Sequence, residues 1–282
     1  MNNFYTNNDL VRNVIEKQLS DENIESTQEY NFNPLKMYFG EDYIVNDEIT
    51  IHQPTIQDFI EAEDETKIYD VIKPFIANTT AYRVQLWDKG IDWNKLTNIE
   101  LFSVLIKQID FKYSQLIFGE IDFSSFDLLE VEKGNGETEP FLYSKTMDLG
   151  IDETTLKRIC KHIQYMFNIF PVEEEFTSSK ILKQDLINKD RQNQIAQQKK
   201  DSAMANQSLL SMITFYLNHP GCKYKKNELR EMGYFEFMYN IQRIQIYEST
   251  RALFGGMYSG ICDLSKVNPN EFNFMRDIKV SA

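Results

Sequence analysis

The sequence predicts an α+β fold, with small antiparallel β elements and helices in the N-terminal half and a mainly α-helical C-terminal half. Three observations carry that prediction. Strand-like spacing of apolar residues is confined to 35–51 and to segments between 126 and 151. From Asp152 onward the apolar residues fall at helical spacing, beginning with Leu156, Ile159, Ile163, Met166 and Phe167. A chain of 282 residues that is 42% hydrophobic and 13% aromatic has the material for a large core. By character it divides into an N-terminal helix and linker (1–33), an α+β lobe (34–150) and a helical lobe (151–282), arranged as one two-lobed domain or as two.

Taken in order, 9–19 is expected to be an amphipathic helix bearing Leu10, Val11, Val14, Ile15 and Leu19, started by Asn8 or Asp9, and 20–33 a polar linker. Over 35–51, Met37, Phe39, Tyr43, Val45, Ile49 and Ile51 stand at strand-like intervals around Gly40-Glu41-Asp42 and Asn46-Asp47-Glu48, which predicts a small β meander. Thr55 with Asp58, and Thr97 with Glu100, are capping-box pairs, in which the hydroxyl accepts from a first-turn amide and the carboxylate reaches back. The first opens a helix that breaks near Glu63 and resumes over 68–77; the second opens a core helix over 101–109. A short turn over 82–88 closes at Gly90. Segments 126–131 and 140–143 flank Lys133-Gly134-Asn135-Gly136 and form a hairpin, with 147–151 as a further strand.

In the second half, 176–206 reads as a helix that carries Gln184, Gln192, Gln194, Gln197 and Gln198 and few bulky apolar residues after Ile187. It is either solvated or laid against a partner, and is the candidate mobile arm. A buried helix follows over 209–217, stopped by Pro220-Gly221. The segment 235–254, with Phe237, Met238, Ile241, Ile244, Tyr247 and Phe254, supplies the centre of the C-terminal core. The trio Ile91-Asp92-Trp93, Ile109-Asp110-Phe111 and Ile121-Asp122-Phe123 reads as three caps, each aspartate closing a turn while its neighbours anchor it.

The charge balance excludes some partners. With 30 Lys and Arg against 43 Asp and Glu, a formal net charge of -13 repels duplex DNA and anionic bilayers, so nucleic acid is disfavoured. Cys160, Cys222 and Cys262 are an odd, scattered set that fits a reducing cytoplasm, and all three read as small buried hydrophobes. Residues 1–12 lack a secretory pattern, and the longest apolar stretch is about half of what a bilayer demands, so neither export nor a membrane partner is expected.

No catalytic, cofactor or metal chemistry is expected. Gly255-Gly256-Met257-Tyr258-Ser259-Gly260 lacks the Gly-Lys-Ser/Thr ending of a phosphate loop and reads as a helix stop. Cys160 and His162 point to different faces of one helix, and neither they nor His219 and Cys222 have a matching second pair. The only histidines are His52, His162 and His219, and no strand-turn-helix elbow surrounds any serine; the carboxylates fall in runs that form solvated faces. One basic cluster stands out: Lys223, Tyr224, Lys225, Lys226 and Arg230. It is either solvated and balanced by Glu228 and Glu231 at a helix start, or a contact patch for an acidic partner. With Gln194 and Gln198 it makes up the candidate partner-binding set, and charge reversal at Lys225 and Lys226 is expected to weaken binding.

Two groups of segments add a resemblance. Pro34-Leu35-Lys36-Met37-Tyr38-Phe39-Gly40-Glu41-Asp42-Tyr43, Ile51-His52-Gln53-Pro54-Thr55-Ile56 and Trp87-Asp88-Lys89-Gly90-Ile91-Asp92-Trp93 form the first. Leu217-Asn218-His219-Pro220-Gly221, Gln245-Ile246-Tyr247-Glu248-Ser249-Thr250 and Phe272-Asn273-Phe274-Met275-Arg276-Asp277 form the second. Together they resemble tail-morphogenesis proteins of phages and prophages of low-GC Gram-positive bacteria, and tail assembly chaperones among them. The resemblance implies a non-catalytic protein of the host bacterial cytoplasm that binds the tape-measure or tail-tube protein during virion morphogenesis. The alternative it leaves open is a structural virion component, such as a neck, connector or baseplate protein that forms a homo-oligomer.

Overall fold

Asn33 opens a short helix because its Oδ1 accepts from the amides of Leu35 and Lys36 at 3.1 and 3.2 Å, while Pro34 has no amide to leave unpaired. The computed structural model of the chain describes residues 30–132, 138–203, 208–259 and 267–278, and the side chains of 132 and 197–203 are outside that description. The expected helix over 9–19, the linker up to residue 29, the loop glycines Gly134 and Gly136, the side chain of Gln198, and Cys262 all lie outside the described residues.

Helix α1 (Pro34–Tyr38) corrects the expected meander. Its cap turns Met37 into the core and leaves Phe39 exposed, so only the hairpin β1 (Tyr43–Ile44) and β2 (Thr50–Ile51) remains, paired Tyr43 to Ile51. Gly40 makes the turn from α1 into β1 at φ +70°, a conformation that costs a residue with a Cβ. Next come α2 (Ile56–Glu61), α3 (Thr66–Ile76), α4 (Arg83–Asp88), α5 (Asn98–Leu105), a 3₁₀ turn Ile106–Gln108, and α6 (Phe111–Phe118).

Both capping boxes form. Thr55 donates its amide to Asp58 at 2.6 Å and Thr97 donates its amide to Glu100 at 2.7 Å, each with the reciprocal hydroxyl contact at 3.3 Å. Thr97→Ala is expected to cost about 1 kcal/mol and Thr97→Gly only a few tenths, measured by urea unfolding. Equal losses would mean that the hydroxyl is not what starts α5. The three Ile-Asp-aromatic segments also share one geometry. The carboxylates of Asp92, Asp110 and Asp122 accept from the amides of Asn94, Lys112 and Ser124 at 3.2, 3.0 and 2.9 Å.

The second sheet runs β3 (Asp127–Glu132), β4 (Thr138–Ser144) and β5 (Leu149–Ile151) in that order, all antiparallel, with Leu128 opposite Leu142 and Tyr143 opposite Gly150. Asp152 then caps α7 (Glu153–Phe167), accepting from the Thr155 amide at 2.7 Å, and Asn168 ends that helix at φ +52°. The rest is helical: α8 (Lys180–Ala203), α9 (Leu209–Asn218), a 3₁₀ turn Glu228–Glu231, α10 (Tyr234–Ser259) and a 3₁₀ turn Pro269–Phe272. The architecture is α+β, with helices dominant in the C-terminal half.

One cluster of buried apolar side chains extends from Met37 to Ile241. At its centre Phe123 contacts Phe75, Phe102, Phe118 and Phe126, with ring centroids 4.6 to 6.4 Å away. Sequence-distant parts are tied by Gln53. Its Nε2 donates to the Met37 carbonyl at 2.8 Å and its Oε1 accepts from the Phe235 amide at 3.2 Å, while Tyr234 donates its amide to the Pro54 carbonyl at 2.9 Å. A Cβ on residue 233 would lie 2.0 Å from Gln53 Oε1, so a side chain in place of Gly233 would displace that tie.

Three further expectations are corrected. Helix α9 is one-sided: Leu209 and Tyr216 are buried, whereas Leu210 and Phe215 face outward because only one stripe of α9 meets the core. Gly255 and Gly256 do not stop α10, which continues to Ser259; Gly255 has nothing within 4 Å of the position a side chain would take, so no close approach required it. The N-terminal part of α10 packs into the core through Phe235, Phe237 and Ile241, but beyond Ile244 the helix lies outside it. There Thr250 donates to the Glu271 carbonyl at 3.0 Å and Arg276 donates to Thr250 at 2.8 Å, clasping 267–278 along α10.

Candidate partner-binding site

The expected arm over 176–206 becomes helical only at Lys180, because the preceding backbone is held extended by side chains of the 78–98 region. Asn78 Nδ2 donates to the Val172 carbonyl at 2.6 Å and Trp93 Nε1 to the Glu175 carbonyl at 3.2 Å. Thr80 Oγ1 accepts from the Glu175 amide at 3.0 Å, and Asn94 donates to the Thr177 carbonyl. The strap 170–179 is thus bonded by side chains rather than by a strand ladder.

Helix α8 then docks on α4 through Lys183, Leu186, Ile187 and Asp190, a single stripe at helical spacing. Ile187 is fully buried against Val84, Leu86 and Trp93, a cluster separate from the main core. Charge brackets it on both sides. Lys183 Nζ lies 2.6 Å from Asp92 and 5.5 Å above the Trp93 ring, and Arg83 binds Asp190 through Nε and Nη2 at 2.5 and 2.7 Å and Glu175 through Nη1 at 2.7 Å. Arg191 adds an exposed pair with Asp88. The Arg83 side chain is only 7% exposed, so those carboxylates compensate its buried charge. Hydrogen bonding to Asp190 holds the Arg83 pKa above its ordinary value, and the bond from Lys183 holds Asp92 below its own.

The outer side of α8 differs. Ile181, Leu182 and Ile195 are 75%, 54% and 54% exposed on a helix whose inner side is fixed. Gln194 is exposed among them. Gln198 follows one turn later, beyond the described side chains.

Lys223 to Lys226 form the turn that leads into the 3₁₀ helix Glu228–Glu231, which contains Arg230; Lys225 donates its amide to the Glu228 carboxylate at 2.8 Å and its Nζ lies 3.8 Å from that carboxylate, so Lys225 is balanced by Glu228 at a helix start. Lys223, Tyr224, Lys225, Lys226 and Arg230 are all exposed. Arg230 donates to Gln57 at 2.8 Å and so fixes the turn to α2, while Tyr224 donates to Glu236 at 3.2 Å. The turn packs on α2 and the Gln194 helix on α4, so the two halves of the expected set sit on different elements.

A second exposed apolar surface was not legible in the sequence. Along the outer part of α10, Phe254 stacks on Phe274 at 5.6 Å and Tyr247 lies 5.4 Å from Phe274, with Tyr258 and Met275 more than 80% exposed at the edge. Its only sequence signal was the continuation of the apolar pattern past Ile244.

The other candidate groups serve packing. Burial pushes the Cys160 thiol up to about 12 and the His162 imidazole down to about 4; His162 stacks on Tyr43 at 4.3 Å, with the Tyr30 hydroxyl 3.2 Å from Nδ1. His219 accepts from the Gly221 amide at 3.0 Å and lies 3.1 Å from Glu248. Among the described residues no three His, Cys, Asp or Glu side chains form a metal-binding group, and no helix is long and apolar enough to cross a membrane. No protein-family model, curated protein or solved structure matches the chain.

Proposed function

We propose that the chain is a non-catalytic phage tail assembly chaperone, which binds the tape-measure protein in the host bacterial cytoplasm and assists tail-tube assembly. The observation that carries the binding reading is α8: Ile181, Leu182 and Ile195 stand outward on a helix whose opposite stripe is anchored by Ile187 and the Arg83–Asp190 pair. Ile181 and Ile195, fourteen residues apart on the side away from α4, with Leu182 at the flank, offer separate apolar contacts to a long amphipathic helix of a client. The tail setting comes from the resemblance of the segments around Met37, Trp87, His219 and Phe272. The exposed Lys223, Lys225 and Lys226, on a separate element, offer a second, cationic contact to acidic residues of the client.

The test is co-purification of the tagged chain with the products of a tail gene cluster, at moderate and high salt. Ile181→Asp with Leu182→Asp and Ile195→Asp is expected to reduce recovery of a long helical protein about tenfold or more with the melting temperature unchanged. Lys225→Glu with Lys226→Glu is expected to reduce it by less, and mainly at moderate salt. Unchanged recovery in the triple variant would overturn the assignment of α8.

The second reading, a permanent virion component forming a ring, is favoured by the aromatic surface of α10, where Tyr258 and Met275 leave apolar area exposed for contact with a second copy. Mass spectrometry of purified particles separates the two, because stoichiometric presence in the virion would displace the chaperone reading.

A further inference from the structure

We propose that the outer face of the sheet β3–β4–β5 is a docking site for the chain's own N-terminal segment 9–19. This goes beyond the reading of α8 and does not depend on it.

Residues directly opposite each other in an antiparallel ladder project to the same side of the sheet. Leu128, Leu142 and Ile151 share the inner side, which joins the main core. Helix α5 reaches β3 and β4 on that side, where Ile99, Phe102 and Ile106 enter the same core. On the outer side Leu129 stands opposite Phe141, Asp127 opposite Tyr143 and Val131 opposite Glu139, and the apolar members form a cluster of their own. The β5 residue on that side is Gly150, opposite Tyr143, so the face is low there and admits an element laid across it.

The outer face is buried beyond what its own strands supply. Phe141 is 6% and Tyr143 8% exposed, yet the apolar side chains described against them are only Leu129 and Val131, both half-buried members of the same face. Neighbours on one sheet face shield the edges of a ring and not its top, so the two rings need a cover from outside the sheet.

Segment 9–19 fits that cover by length, pattern and charge. Outside the described residues, 133–137, 204–207, 260–266 and 279–282 are at most seven residues long, about two helical turns. Only 1–29 contains an amphipathic stretch of about three turns. At helical spacing Leu10, Val11, Val14, Ile15 and Leu19 share one side, with Arg12 and Lys17 at its two edges. Glu139, at one end of the sheet face, offers a carboxylate that complements those cations.

The chain also enters the described structure within reach of the face. Tyr30 packs on Tyr43, His162 and Tyr165, with ring centroids 5.5, 6.0 and 5.8 Å away. His162 is about 14 Å along α7 from Glu153, which follows β5 after Asp152. The link from Leu19 to Tyr30 spans up to about 35 Å when extended, enough for that distance and for the width of the sheet, about 10 Å from β5 to β3. Docked in this way, 9–19 turns Asp9, Asn13 and Glu16 outward and closes the apolar face to other partners.

The experiment uses the full chain with Val14 replaced by p-benzoylphenylalanine, irradiated and mapped by mass spectrometry. Crosslinks within one chain to 127–131 or 139–143 are expected. Crosslinks to another part of the chain, crosslinks between two copies, or none would overturn the proposal. A second arm uses the full chain with Val14→Asp and Ile15→Asp. Hydrogen exchange of 139–143 is expected to rise at least about tenfold while that of 159–166 in α7 stays unchanged. Unchanged exchange in 139–143, or an equal rise in both segments, would mean that 9–19 does not act on this face in particular and would count against the proposal. Loss of co-purification with tail proteins bears only on the outer side of α8 and leaves this result standing.

Discussion

Phe123→Ala is expected to lower stability by about 3–5 kcal/mol and the melting temperature by on the order of 10 °C. Phe123 is fully buried, and its ring meets four others, from α3, α5, α6 and the residue before β3. Truncation removes the transfer free energy of the ring and leaves a cavity that rigid neighbours cannot collapse into. Phe123→Leu retains most of the volume and is expected to cost about 1.5 kcal/mol or less. Urea unfolding followed by circular dichroism measures both. Equal, small losses would show that this cluster is not the centre of the fold. Tryptophan emission of the folded Phe123→Ala variant should match that of the native chain, since both tryptophans lie in the separate cluster under α8.

Acid is expected to remove about 3 kcal/mol of stability through His162 alone. Burial holds its folded pKa near 4, against an ordinary value of 6.5, and the ring is packed on Tyr43 with Tyr30 at its edge. As pH falls below 6.5 the unfolded chain takes up a proton that the folded chain refuses, so stability falls with pH. The contribution is fully present above about 6.5 and is progressively lost down to about 4, at about 1.4 kcal/mol per pH unit. His162→Phe keeps a ring against Tyr43 and removes the proton site. Urea unfolding at several pH values between 7.5 and 4 should give a steeper decline for the native chain than for this variant. Parallel declines would show that His162 is protonated in the folded state as readily as in the unfolded one. Carboxylates held low by hydrogen bonds, Asp92 among them, lose their contribution only as pH falls below the ordinary carboxylate range, and so do not mimic the effect.

The candidate site was legible in the sequence only as a region. The scarcity of bulky apolar residues after Ile187 marked the arm, and the charge of Lys223, Lys225 and Lys226 marked the turn. That Ile187 is the anchor, that Ile181 and Leu182 face outward, and that Arg83 is buried depend on which side of α8 meets α4. A helix with apolar residues at 181, 182, 186, 187 and 195 has no single apolar face to announce its docking side.

By itself the sequence determined the features whose chemistry closes within three or four residues: the Thr55–Asp58 and Thr97–Glu100 caps, the three aspartate turns, the hairpin of β3 and β4, and the α+β order of elements. Only the tertiary structure decided the continuation of α10 through Gly255 and Gly256, the Gln53 tie to Phe235 and the Arg83–Asp190 pair across 107 residues. Local hydrogen bonds are set by neighbouring residue types, whereas a pairing across a hundred residues exists only after the core has brought its partners together and excluded water between them.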